Sequence, residues 1–86
     1  MANVLAVGTT AAQSTTFTVA AGTPAHISLI GAVTQLPPNL GLQLEKLGSD
    51  TKWYPKGVIT ADRVIYGAGS YRLNRPAGPN VGADVD

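Results

Sequence analysis

This 86-residue chain contains no cysteine and a single histidine, His26. Disulfide bonds are therefore excluded, and a metal site built from several thiolate or imidazole ligands is excluded with them. A domain of this size buries only about 60% of the surface that its unfolded chain exposes, so its core is thin. Without disulfides or a metal, we expect association with copies of the chain or with another protein to supply extra stability.

Charge is scarce and unevenly placed. Charged residues make up 13% of the chain, whereas about 25% is usual. Residues 1–44 contain no Asp, Glu, Lys or Arg, and all the charges lie between Glu45 and Asp86. Soluble monomers normally scatter charge over their whole surface. The neutral half is therefore either a solvated neutral surface or, as we favour, a surface that a partner covers.

Long apolar runs are also missing. No stretch approaches the roughly 18 apolar residues that a membrane-spanning helix needs. The N-terminus lacks the basic region and the apolar core of a secretory signal. We therefore expect a protein that is synthesised in a cytoplasm and has no membrane partner. The net charge of +1 is too small to favour a nucleic-acid partner.

Helical periodicity is absent as well, since no window keeps apolar residues on one helical face over three turns. Ten glycines and six prolines instead separate short runs in which apolar and polar residues alternate. That pattern predicts an all-β fold, a small Greek-key or immunoglobulin-like β-sandwich of about seven strands. The expected domain is 16–76, preceded by an N-terminal arm or edge strand (1–15) and followed by an extended tail (77–86). The strand candidates are 3–7 in the N-terminal segment and then 16–20, 25–30, 40–47, 51–54, 58–59, 63–66 and 70–74.

Alternation within these strands predicts the core and three structural aromatic residues. Phe17 and Trp53 are expected in the core. Tyr71 follows Gly69 at the start of a late strand, which predicts a tyrosine corner whose hydroxyl binds the backbone upstream. The segment 34–39 contains two prolines and is expected to be a crossing loop. The full predicted core is Phe17, Val19, Ile27, Leu29, Leu40, Leu42, Leu44, Trp53, Val64, Tyr71 and Leu73.

Candidate interface residues come from the two ends of the chain and from one aromatic cluster. Trp53 and Tyr54 must point to opposite faces of a strand. With Trp53 in the core, Tyr54 would be exposed beside Lys52 and Lys56, as a modest binding patch. An ordinary solvated surface is the alternative. The candidate interface residues are Val4, Leu5, Val7, Tyr54, Arg72 and Arg75.

No catalytic, cofactor-binding or metal-binding residue is predicted. A lone outward-facing histidine such as His26 is an ordinary surface residue. The acids Glu45, Asp50 and Asp62 could supply a carboxylate pair, but Asp50 and Asp62 fall in predicted turns. Two acids at the chain end are too few oxygens for a calcium site. We therefore expect a protein that is not an enzyme and needs no cofactor.

In style, the chain resembles the small structural proteins of tailed bacteriophage virions, especially capsid decoration or cement proteins. The resemblance lies in the neutral start at 7–12, the segment 17–24, the central strand 42–45 with the Trp53-Tyr54-Pro55 run, and the segments 69–77 and 81–84. It spans most of the chain but contains no diagnostic motif.

The resemblance implies a β-rich protein that acts without cofactors and binds the outer capsid lattice. Its expected partners are the major capsid protein and copies of itself, for example in a trimer. Its expected location is the capsid surface of a virion made in a bacterial cytoplasm. The alternative is a sugar- or receptor-binding sandwich module of a phage fibre or tail, with an exposed aromatic platform at Tyr54 or Tyr66.

Overall fold

The computed structural model describes residues 2–32 and 34–86. Met1 and Val33, which belong to the predicted N-terminal segment and the predicted sandwich, lie outside the described residues. The strands are β1 (Ala2–Gly8), β2 (Ala12–Gln13), β3 (Phe17–Val19), β4 (Ala25–Gly31), β5 (Leu42–Leu47), β6 (Trp53–Ile59), β7 (Arg63–Ile65), β8 (Gly69–Arg75) and β9 (Val81–Val85). A short 3-10 turn, Pro38–Leu40, precedes β5.

The strands form two antiparallel sheets, which confirms the predicted all-β sandwich. The first sheet has the order β1-β9-β4-β7, and the second has the order β2-β8-β5-β6 with β3 also pairing with β8. β5 and β6 form a hairpin, as predicted. The described part of the chain contains nine strands, where the sequence predicted about seven, and no helix in it is long and apolar enough to cross a membrane.

The core lies between the sheets and consists of apolar residues from both. Most of the predicted core is buried, but Leu40, Trp53 and Val64 are only partly so, and their assignment to the core was wrong. Leu40 belongs to the 3-10 turn before β5, Val64 alternates with the buried Ile65 and so faces away from the core, and Trp53 lies next to Arg72 on the outer face of the second sheet. The residues of the core are Val4, Leu5, Phe17, Val19, Ala25, Ile27, Leu29, Leu36, Leu42, Leu44, Ile59, Ile65, Tyr71, Leu73, Val81 and Ala83.

Strand β6 continues through Pro55, where the sequence predicted two separate strands. It is an edge strand of the second sheet, and proline is tolerated there because one side of an edge strand needs no ladder hydrogen bonds. The register shifts between Gln43 and Glu45 of the partner strand. Gly57 in this stretch has φ +113°, a backbone conformation that glycine adopts readily.

The connection from β7 to β8 takes the chain from the first sheet to the second. At this connection the Tyr71 hydroxyl donates a 2.7 Å hydrogen bond to the Gly67 carbonyl oxygen. The ring of Tyr71 stacks on Phe17, with 6.0 Å between their centroids. This is the backbone bond that the sequence predicted for Tyr71. The segment 34–39 likewise joins the two sheets, between β4 and β5.

The C-terminal segment is an inner strand, which corrects the expectation of an extended tail over 77–86. β9 lies between β1 and β4 in the first sheet, and its Val81 and Ala83 are fully buried. Gly82 makes this possible, because a Cβ there would lie 2.4 Å from the Leu5 carbonyl oxygen. The glycines and prolines around this segment suggested an irregular tail, but here glycine permits close approach of two strands.

Candidate functional site

The two open sides of the sandwich differ in charge. β1 and the broken edge strand formed by β2 and β3 lie on one side, which we call the neutral side. It is built from residues 2–19, which contain no acid or base. β6 and β7 are the edge strands of the other side, which we call the cationic side because Lys56 and Arg63 lie on them.

Backbone contacts close the neutral side. The Thr15 amide donates to the Val4 carbonyl oxygen at 2.9 Å, which joins the edges of the two sheets. Between β2 and β3, the Ser14 amide donates to the Leu73 carbonyl oxygen and the Leu73 amide donates to Ser14 Oγ, both at 2.8 Å. The Ser14 hydroxyl thus replaces a ladder bond where the edge strand is broken. The neutral side is consequently one continuous surface.

Arg75 is a structural residue, which corrects its assignment to an exposed interface. Its side chain is only 5% exposed. Nη1 donates to the carbonyl oxygens of Ala6 and Val81 at 2.7 and 2.8 Å, and Nε donates to Thr10 at 2.8 Å. A buried guanidinium is tolerated when carbonyl oxygens satisfy it. Here it ties the N-terminal strand and the loop after it to β8 and β9.

Of the three candidate interface residues in β1, two lie in the core and one lies on the surface. Val4 and Leu5 are buried in the core, so in the folded chain neither offers its side chain to the candidate interface to which the sequence assigned it. They are adjacent, and both become buried because β1 is irregularly paired, with register shifts against β9. Val7 remains 45% exposed and lies on the neutral side, and its assignment to an interface stays a prediction.

Trp53 lies on the outer face of the second sheet. It pairs with Leu47, and the Arg72 guanidinium lies 4.2 Å from the centroid of its ring. Trp53 and Tyr54 do point to opposite faces, as the sequence required, but neither fills the core. Because Arg72 covers one face of the indole, Trp53 offers a ligand less aromatic surface than a free side chain would.

Arg72 is also held by an ion pair. Its Nε donates to Glu45 Oε1 at 2.7 Å, and Asn74 Nδ2 donates to the same oxygen at 2.5 Å. These bonds, chiefly the one from Arg72, hold the pKa of Glu45 below its ordinary value of 4.5, although partial burial opposes them. The predicted interface residue Arg72 is therefore partly exposed but already satisfied within the chain.

Tyr54 closes the end of the β5–β6 hairpin. It is 44% exposed, but its hydroxyl donates a short hydrogen bond to Asp50 Oδ2. That bond lowers the pKa of Asp50 and raises the pKa of Tyr54. The ring also lies close to Gly48. Tyr54 is thus an exposed structural residue of the hairpin, and it does not stand free as a platform.

A cleft of about 330 Å³ opens on the cationic side, between the edges of the two sheets. Its polar wall contains Lys46, Lys56 and Arg63, and no acid lines it. Tyr66, which is 74% exposed, stands at its rim. Buried residues form its floor. The complete lining is Leu44, Lys46, Lys56, Arg63, Val64, Ile65, Tyr66 and Tyr71.

Sequence analysis missed this convergence of cations. The predicted patch contained Lys52, Tyr54 and Lys56, which are neighbours on one strand. The structure brings Lys56 together with Lys46 of β5 and Arg63 of β7, from both sheets. No local pattern in the sequence reports that these three residues meet, because their proximity depends on how the two sheets are stacked.

Within residues 2–32 and 34–86, no three His, Cys, Asp or Glu side chains group closely enough to hold a metal ion. His26 is exposed on β4. The Asp62 carboxylate accepts a 2.9 Å hydrogen bond from the Leu29 amide, which gives it a structural role. Glu45 and Asp50 are engaged as described above, so each of these three acids has a partner within the fold.

Comparison with protein-family models, with curated proteins and with solved structures gives no significant match to this chain. Its function is therefore inferred from its own surfaces.

Proposed function

We propose that this chain is a non-enzymatic structural protein of a tailed-phage virion, which binds and stabilises the outer surface of the capsid lattice. The observation that carries the proposal is the neutral side, an exposed surface without acids or bases on β1, β2 and β3. The proposed partners are the major capsid protein and further copies of the chain. Nucleic acid and membranes are not proposed partners.

The chemistry of the neutral side suits a protein interface. Its exposed side chains are Ala, Asn, Val, Thr and Gln, and charged residues are depleted at the centres of protein interfaces. Covering such a surface removes no charge from water, so it avoids the large desolvation cost of ionic groups. Val7 is its largest exposed apolar side chain and is the residue that we expect to contribute most apolar burial.

The neutral side is also preorganised. Arg75, Ser14 and the bond from Thr15 to Val4 fix the N-terminal segment onto the sandwich. A surface that is ordered before binding loses little conformational entropy when a partner covers it. The carbonyl oxygens of Val4 and Ala6 already accept hydrogen bonds within the chain. We therefore expect side-chain contacts, more than the addition of a strand to β1, to make the interface.

The test is cosedimentation of the purified chain with particles produced by the genome that encodes it. Val7→Lys places a charge on the neutral side and should reduce the bound fraction at least about tenfold, since a buried unpaired charge costs several kcal/mol. The matched control is Val58→Lys on the cationic side, because Val58 is equally exposed at 44%. An equal loss of binding in both variants, or no cosedimentation of the unaltered chain, would contradict the proposal.

The second candidate is a sugar- or receptor-binding module, and the exposure of Tyr66 is the observation that favours it. Aromatic rings that stand free can stack on apolar faces of ligands. Tyr54 and Trp53 are engaged with Asp50 and Arg72, so the aromatic platform would rest on Tyr66. A glycan array comparing the unaltered chain with Tyr66→Ala and Tyr54→Ala tests it, and only the first substitution should remove binding.

A further inference from the structure

We propose that the cleft on the cationic side is a second binding site, which takes an extended acidic segment of a protein partner. In this site an acidic side chain lies between Lys46, Lys56 and Arg63, and a neighbouring apolar side chain contacts the floor. The site lies on the opposite side of the sandwich from the neutral side. It goes beyond the proposed capsid binding and does not depend on it.

The polar lining of the cleft is cationic. It gathers three of the six basic residues of the chain. In the part of the chain that the structure describes, none of the three forms an ion pair, whereas Arg72 is paired with Glu45. Arg75 is satisfied by backbone oxygens. A concave surface lined by one sign of charge concentrates ligands of the opposite sign.

The fold holds one of these cations, Lys46, in position. The Lys46 ammonium lies 5.6 Å from the centroid of the Tyr71 ring, and its Cε packs so closely on Gly69 that a Cβ there would be 2.7 Å away. Long basic side chains that are already held in place lose less entropy when they bind an anion.

The apolar floor of the cleft favours a protein segment over a polyanion. The floor of the cleft is formed by Leu44, Ile65 and the Tyr71 ring, all of which belong to the buried core. A phosphate or sulfate group would gain nothing from contact with this floor. An extended peptide that carries acidic and apolar side chains can use the cations and the floor together, and both walls are edge strands of the type that extended peptides bind.

The experiment is a titration of the full-length, 15N-labelled chain, followed by NMR. The probe is an acetylated, amidated peptide of sequence Glu-Val-Asp-Leu-Glu-Gly, and its neutral twin is Gln-Val-Asn-Leu-Gln-Gly. We expect the acidic peptide to shift the amide resonances of residues that line the cleft, and its twin to leave them unchanged. Lys56→Gln and Arg63→Gln should each raise Kd about two- to fivefold, the range that one exposed ion pair provides.

The matched control is Lys52→Gln, which removes an exposed lysine that does not line the cleft and should leave Kd unchanged. Val7→Lys should also leave it unchanged, so failure of this proposal and failure of capsid binding are distinguishable. Equal binding of the neutral twin, or equal loss in Lys52→Gln, would overturn the proposal. Tighter binding of a heparin hexasaccharide at the same residues would overturn it in favour of a polyanion site.

Discussion

Two arginines on β8 show how much depends on the face to which a side chain points. Arg72 points to the outer face of the second sheet. There its guanidinium covers the ring of Trp53 and pairs with Glu45. Arg75 points inward in register with Tyr71 and Leu73, and it binds carbonyl oxygens from β1, β9 and the loop after β1. Because strand side chains alternate, their three-residue separation places them on opposite faces.

Replacing Arg75 should therefore be far more costly than replacing Arg72. In Arg75→Met, buried carbonyl oxygens lose their charged donor, and hydrogen bonds to charged groups contribute about 1.5–3 kcal/mol each at most. We expect a loss of about 3 kcal/mol in the free energy of unfolding, against about 1 kcal/mol or less for Arg72→Met. Urea denaturation measures both. A loss for Arg72→Met as large as that for Arg75→Met would contradict the structural role.

The ion pair of Glu45 predicts a pH dependence. Its pKa in the folded chain is lowered below 4.5, first by the hydrogen bond from Arg72. A group whose pKa is lowered on folding stabilises the fold above its unfolded-state pKa, and that stabilisation is lost as the pH falls through the folded-state value. As the pH is lowered past about 4.5, the free energy of unfolding should therefore decrease less steeply in Glu45→Gln than in the unaltered chain. Parallel stability curves from urea denaturation between pH 6 and pH 3 would contradict this.

At the scale of elements, both chain ends belong to the sandwich. β9 is an inner strand of the first sheet, and β1 packs Val4 and Leu5 into the core against it. The sequence favoured an arm or edge strand before residue 16 and a tail after residue 76, and the edge-strand alternative describes β1. The N-terminal segment therefore shapes the neutral side as part of the fold.

Deleting residues 1–15 tests this directly. The deletion removes two buried apolar side chains, which contribute about 1.5–3 kcal/mol each, and it also removes the Ser14 bonds to β8. Small domains of this length have a total stability of about 4–13 kcal/mol. We expect the truncated chain to be unfolded or severely destabilised by circular dichroism and thermal denaturation. A truncated chain with unchanged Tm would show that the segment is a separable arm.

The elements that the sequence predicted well are strands whose own residues alternate between apolar and polar, and a turn that joins two consecutive strands. Alternation located β3, β4, β5 and β8, and Gly48-Ser49-Asp50 predicted the hairpin turn. The inner position of Val81 and Ala83, the burial of Arg75 and the meeting of Lys46 with Arg63 depend on contacts between distant segments. Alternation within one strand carries no information about which distant segments that strand will contact in the fold.

For the molecule as a whole, the uneven distribution of charge along the sequence corresponds to an uneven distribution of charge over the sides of the sandwich. The charge-free residues 2–19 form one side of the sandwich, whereas Lys56 and Arg63 lie on edge strands of the other. A protein with two chemically different sides can contact two different neighbours in an assembly. We propose capsid binding through the neutral side, and we therefore claim that the particle covers this surface.

Amide hydrogen exchange by mass spectrometry, on the chain when free and when bound to particles, tests that claim most directly. We expect binding to slow exchange in peptides from 2–19 and to leave peptides from 53–66 largely unchanged. Slowed exchange confined to 53–66, or no difference anywhere in bound chains, would contradict it.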